Sequence, residues 1–155
     1  MDSLIERRLA ELESRIVALE ASASTRPDQK PTVRYDEVAG TVSFGGQAIT
    51  GAGEVEYQWH RPTDYLRQEA FESSLERVGA LAHPVRHAIM QQLLTTSTSV
   101  HELVELGIVS STGTAYHHIS ALQASGWVRK KDGVLSIPPG RIIPLLTIVA
   151  AGENH

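Results

Sequence analysis

Between His83 and Ile137 the chain carries helix starts and stops so closely spaced that only short elements fit between them. Pro84 suits the first turn of a helix, where its missing N–H costs nothing, and Val85, Ile89, Met90, Leu93 and Leu94 continue an apolar stripe to about Thr95. Ser99 and Glu102 have the spacing of a capping box, in which each side chain satisfies the other's free backbone amide. A second helix therefore begins there, and it ends at Leu106-Gly107. After a turn at residues 108–110, a third helix opens at Ser111 or Thr112 and stops at Gly126, with Ala115, Ile119 and Leu122 as its buried stripe. Trp127-Val128 and Leu135-Ser136-Ile137 then bracket a basic segment whose Asp132-Gly133 pair is a tight-hairpin signal. The predicted order is helix, helix, turn, helix, wing. A further helical stretch precedes it over residues 64–82, with Leu66, Ala70, Phe71, Leu75, Val78 and Leu81 at helical spacings.

The N-terminal segment has a different period. Ile5, Leu9, Leu12, Ile16 and Leu19 are spaced 4, 3, 4, 3, the a/d seam of a coiled coil. Arg8 and Arg15 fall at g while Glu6, Glu13 and Glu20 fall at e. A parallel pair sets Arg8 against Glu13 and Arg15 against Glu20 of the other helix, whereas an antiparallel pair opposes like charges. The same pattern also fits an amphipathic helix packed on its own domain, since fewer than three heptads are marginal alone. Residues 22–32 are small, polar and proline-containing, as a linker requires. Then Val33 and Tyr35, Val42 and Phe44, and Val55, Tyr57 and Trp59 alternate with polar residues between glycines. This predicts an antiparallel meander of three or four strands, with Glu54, Glu56 and Gln58 facing water and its apolar face on the following helices or on a second chain. Tyr57, Trp59 and His60 read as aromatic core or as a ligand pocket.

Composition narrows the function. The chain has 155 residues and no cysteine, which excludes disulfides, thiolate nucleophiles and Cys-ligated zinc. No apolar run approaches the roughly 18 residues of a membrane span, and a cytoplasmic location with no membrane partner is expected. The net charge of -4 lacks the basic excess of a protein that coats nucleic acid without preference. Residues 1–80 hold 9 basic and 14 acidic side chains while residues 81–155 hold 5 and 4, so an anionic partner belongs to the C-terminal half.

Residues 81–93, LAHPVRHAIMQQL, and residues 101–128, HELVELGIVSSTGTAYHHISALQASGWV, resemble the winged helix-turn-helix of ArsR-type bacterial transcriptional regulators. The resemblance covers about residues 66–150. It implies a homodimer on double-stranded DNA, with Thr112, Thr114, Tyr116, His117 and Ser120 facing bases and with Arg86, Ser111, Arg129, Lys130 and Lys131 on phosphates. It implies further that the first and last helices make the dimer contact, through Ile142, Leu145, Leu146 and Val149 as well as the N-terminal seam. Pro144 is expected in the first turn of the last helix.

Two departures qualify that likeness. Val100, His101 and Leu103 occupy the region where metal-sensing relatives carry cysteines, and residues 141–151 offer no ligand, so no metal and no cofactor are expected. The predicted recognition helix contains no Arg or Lys, although bidentate Arg to guanine is the commonest specific contact. His83 and His87 are four apart, but His83 precedes Pro84 as a cap. Gly45-Gly46 and Gly51-Ala52-Gly53 lack the helix start and Lys of a phosphate cradle, and Ser99 with His101 lacks a nucleophile elbow. No enzyme is expected. The fold expected is α+β: a coiled-coil helix at residues 1–21, a linker at 22–32, a β-meander at 33–60 and a winged helix-turn-helix domain with a C-terminal dimerisation helix at 64–151. The function expected is sequence-specific DNA binding in transcription regulation, with an unidentified small-molecule or protein effector compatible with it. A winged-helix module that binds proteins instead of DNA is the rival.

Overall fold

The computed structural model describes residues 2–24, 40–51 and 53–154, and it is an α+β protein with small antiparallel sheets. One unit holds helix α1 (Asp2–Ser24), and a second covers residues 37–154. Helix α1 continues to Ser24, past the expected start of the linker, because Ala21, Ser22, Ala23 and Ser24 contain no breaker. Ile5, Leu9, Leu12 and Ile16 are each more than half exposed along it. The side chain of Leu19, the rest of the linker, Val33 and Tyr35 lie outside the described residues.

In the second unit the expected meander is, among the described residues, a two-stranded hairpin of β1 (Thr41–Thr50) and β2 (Gly53–Pro62). Gly45 and Gly46, read from sequence as a break, sit inside β1. A Cβ on Gly45 would lie 2.8 Å from the Tyr57 carbonyl oxygen, so Gly45 permits close approach instead of a turn, whereas one on Gly46 would meet Ile143 at an ordinary contact distance of 3.9 Å. The chain leaves β1 at Gly51, whose amide donates to the Leu94 carbonyl at 3.3 Å. One face carries the pairs Phe44–Trp59, Gly46–Tyr57 and Ala48–Val55. Ala48 and Val55 pack against the core, whereas Glu54, Glu56 and Gln58 face water as their alternation requires. Phe44 stacks on Tyr57 at 5.9 Å and on Trp59 at 5.0 Å, forming a half-buried aromatic row.

Next come α2 (Thr63–Tyr65), a π-helical turn (Leu66–Ala70) and α3 (Phe71–Gly79). Their apolar stripe is left open, with Phe71 at 65 % and Leu75 at 60 % exposure. Helix α4 (Pro84–Thr95) starts with His83 accepting the Val85 amide on Nδ1 at 3.2 Å and with Pro84 in its first turn. The two-residue strand β3 (Thr98–Ser99) runs directly into α5 (Val100–Glu105). At that junction the Glu102 amide donates to Ser99 Oγ at 3.2 Å, and Ser99 N–H donates to Glu102 Oε2 at 2.6 Å. Those hydrogen bonds hold the Glu102 carboxyl below its ordinary value. Gly107 at φ +68° then turns the chain toward α6 (Thr112–Ala124).

Gly126 at φ +74° ends that helix, and β4 (Arg129–Lys131) and β5 (Val134–Ser136) form a hairpin. Asp132 and Gly133 both have positive φ, 51° and 84°, the geometry that a two-residue turn needs. The sheet order is β3-β5-β4, so Thr98 pairs with Leu135 across the sequence.

Helix α7 (Pro139–Ala151) closes the chain, with Pro139 at its start. Pro144 therefore lies in the second turn and not the first, leaving a carbonyl one turn earlier without a helical donor. The core joins Ile89, Leu103, Ala115, Ile119, Leu122, Trp127, Leu135 and Ile142, all almost fully buried. Each large aliphatic side chain among them contributes about 1.5–3 kcal/mol through burial.

Candidate nucleic-acid interface

Helix α6 has two unlike faces. Ala115, His118, Ile119 and Leu122 point into the core, while Thr112, Gly113, Tyr116, His117 and Ser120 are exposed. At 13 residues and 1.5 Å per residue the helix is about 20 Å long. Its start is held by Ser111, whose Oγ accepts the Thr114 amide at 3.2 Å and lies 3.0 Å from Thr114 Oγ1. Ser110 Oγ donates to the same Thr114 oxygen at 3.4 Å. Ser111 and Thr114, expected as DNA contacts, are thus already engaged with each other in capping, and Thr114 is half-buried.

The β4–β5 hairpin stands beside that exposed face. The Lys130 ammonium lies 5.0 Å from the centre of the Tyr116 ring, a cation–π distance that ties the hairpin to the helix. Arg129 Nε donates to Ser136 Oγ across the hairpin at 3.0 Å. Lys130 and Lys131 are exposed, and among the described residues no carboxylate lies within 4.0 Å of either. Two uncompensated cations therefore border a row of hydroxyl, phenol and imidazole groups.

Arg86 is placed differently from the expectation. It is half-buried, and its Nη1 donates to the Ala80 carbonyl at 2.9 Å, closing the loop between α3 and α4. A guanidinium held in that way braces its own domain through one nitrogen instead of standing out beside the hairpin lysines as an anchor for the DNA backbone. Ile142 and Leu145, expected at a subunit contact, are 1 % and 3 % exposed within their own chain. The amphipathic geometry of α7 turns them onto the core and leaves Leu146 and Val149 outside, at 37 % and 47 %.

Behind the exposed face, His118 is 7 % exposed and its Nδ1 has no hydrogen-bond partner. His83 and His117 approach it at 4.6 and 5.3 Å between ring centres. Burial, reinforced by His83, His117 and Arg86, holds the His118 imidazole below its ordinary value. Among the described residues no cluster of three or more His, Asp or Glu side chains has the arrangement to hold a metal ion. None of the described helices is long and apolar enough to cross a membrane.

Sequence periodicity also missed a hydrogen-bonded lock just beyond the end of α6. Trp127 Nε1 donates to the Arg77 carbonyl at 2.7 Å, and Arg77 Nε donates to the Ser125 carbonyl at 3.1 Å. The two residues are 50 positions apart, so no local pattern signals the pair. It orients the exit from α6 into β4, and with it the hairpin lysines. No protein-family model matches the chain, and no curated protein matches it.

Proposed function

We propose that this chain is a homodimeric regulator of transcription that binds double-stranded DNA in a sequence-specific manner through a winged helix-turn-helix of the ArsR-like kind. The observation that carries the reading is the Lys130–Tyr116 contact, which joins an exposed polar helix face to two unpaired lysines on a hairpin. In this reading α5 and α6 are the helix-turn-helix and α6 is the recognition helix in the major groove. Tyr116, His117, Ser120 and Thr112 offer donors and acceptors to base edges, and β4–β5 is the wing whose lysines meet phosphates. The exposed a/d seam of α1 would pair two subunits as a parallel coiled coil, and Leu146 and Val149 would extend the contact.

A second reading draws on the exposed stripe of Phe71, Leu75 and Val78, an apolar surface suited to a protein partner, and on the absence of Arg and Lys from α6. Selection from a random duplex pool at low salt separates the two. A DNA reader enriches a two-fold symmetric site whose half-sites lie about one helical turn apart. Changing Tyr116 and His117 to Ala then removes the preference for that site and spares non-specific affinity. A pool that stays random defeats the DNA reading and leaves the protein-interaction module.

A further inference from the structure

A cleft of 380 Å³ lies at the C-terminal ends of α3 and α6, away from the N-terminal half of α6 that carries Tyr116 and His117. That volume suits a small metabolite, within the range of about 300–1,000 Å³ typical of ligand sites. Its walls include Arg77, Arg86, Ser73 and Ser125. Each arginine gives an N–H to a carbonyl at a helix end: Arg77 to Ser125 after α6, and Arg86 to Ala80 after α3. A helix C-terminus offsets only about half a charge, and a guanidinium has five N–H donors. Most of both forks is therefore unused. Arg86 Nε is buried without a partner, although a buried donor left unmade is costly.

A third guanidinium stands beside Arg77, outside the cleft lining. Arg141 reaches Gly126, beside the Ser125 carbonyl that Arg77 holds. Burial first, and then the charge of Arg77, depresses its ionisation. Among the described residues no carboxylate lies within 4.0 Å of Arg77, Arg86 or Arg141, and Glu76 on the cleft rim is exposed and pairs with none of them. Two cleft arginines with N–H groups to spare, facing only the Glu76 carboxylate on the rim, favour an anion, and paired guanidiniums match the planar geometry of carboxylate and phosphate oxygens.

We infer that this cleft binds a small oxyanion, a phosphoryl or carboxylate group, held by the free N–H groups of Arg77 and Arg86. The site joins α3, α4 and α6, so its occupant bears on the helix whose other end carries the exposed polar face. The inference does not rest on the DNA reading.

The test is calorimetric titration of the full chain with sodium phosphate and, separately, with sodium malonate, at fixed ionic strength and without DNA. The expected result is saturable binding of one anion per chain, weakened about tenfold or more in Arg86→Gln by loss of a charge-assisted donor set. Ser73→Trp, which fills the cleft from an exposed position and keeps every arginine, weakens it likewise, and it decides the matter where Arg86→Gln does not fold. Lys130→Ala/Lys131→Ala leaves the anion affinity unchanged. Phosphate binding alone identifies a phosphoryl ligand, and malonate binding alone a carboxylate. Absence of saturation, or binding that is lost in the lysine variant and kept in Ser73→Trp, overturns the inference.

Discussion

Replacement of Lys130 and Lys131 by Ala is the sharpest perturbation of the proposed DNA interface, because both ammonium groups are exposed and neither has a carboxylate within 4.0 Å. In a dimer the double variant removes four cations. If each neutralises one phosphate, the slope of log K against log salt becomes shallower by about 0.9 per contact, or about 3.6 in all. Between about 50 and 200 mM salt, 0.6 of a decade, wild type then loses roughly 100-fold more affinity than the variant. The loss applies to every DNA sequence alike, since phosphates carry no base identity. Fluorescence anisotropy on specific and scrambled duplexes across a salt series measures both slopes. Arg86→Gln is the internal comparison, for its guanidinium braces the Ala80 carbonyl and should alter stability more than slope. A double lysine variant with the wild-type slope would refute the assignment of the hairpin to phosphates, whatever its affinity.

Trp127→Phe removes the 2.7 Å hydrogen bond to the Arg77 carbonyl and part of a fully buried ring. A loss of about 2–3 kcal/mol is expected in urea unfolding of the full chain; a loss below about 0.5 kcal/mol would show that the lock is idle. His118 is held below its ordinary value of 6.5, so the unfolded chain takes up the proton first as pH falls. Stability from this group is complete above about pH 6.5 and declines below it toward the lower folded value. His118→Leu should flatten the fall in melting temperature between pH 7 and 5, and an unchanged acid limb would place its cause elsewhere. Changing both Leu12 and Ile16 on the exposed α1 seam to Asp should weaken dimerisation in sedimentation equilibrium, because a buried unpaired charge is costly. An unaltered dimer constant would remove α1 from the subunit contact.

Features whose cause lies within about four residues were legible in the sequence. The Ser99–Glu102 box, the start at Pro84 and the Asp132-Gly133 turn all hold in the structure, because caps and tight turns are closed by neighbouring backbone groups. The buried stripe of α6 was legible for a related reason: a 3.6-residue period presents Ala115, Ile119 and Leu122 to one side whatever they pack against. Features that depend on distant partners were decided by tertiary packing alone. Thr98-Ser99 is too short to show a strand period and becomes one only by pairing with Val134-Leu135. Gly45-Gly46 looks like a break until the Tyr57 carbonyl closes in on Gly45 across the hairpin. A helix apolar around most of its circumference, such as α7, does not say which of Ile142, Leu145, Leu146 and Val149 face inward until the core beside it is built. Arg86 carries the same charge in any sequence reading, but only the fold places the Ala80 carbonyl within its reach.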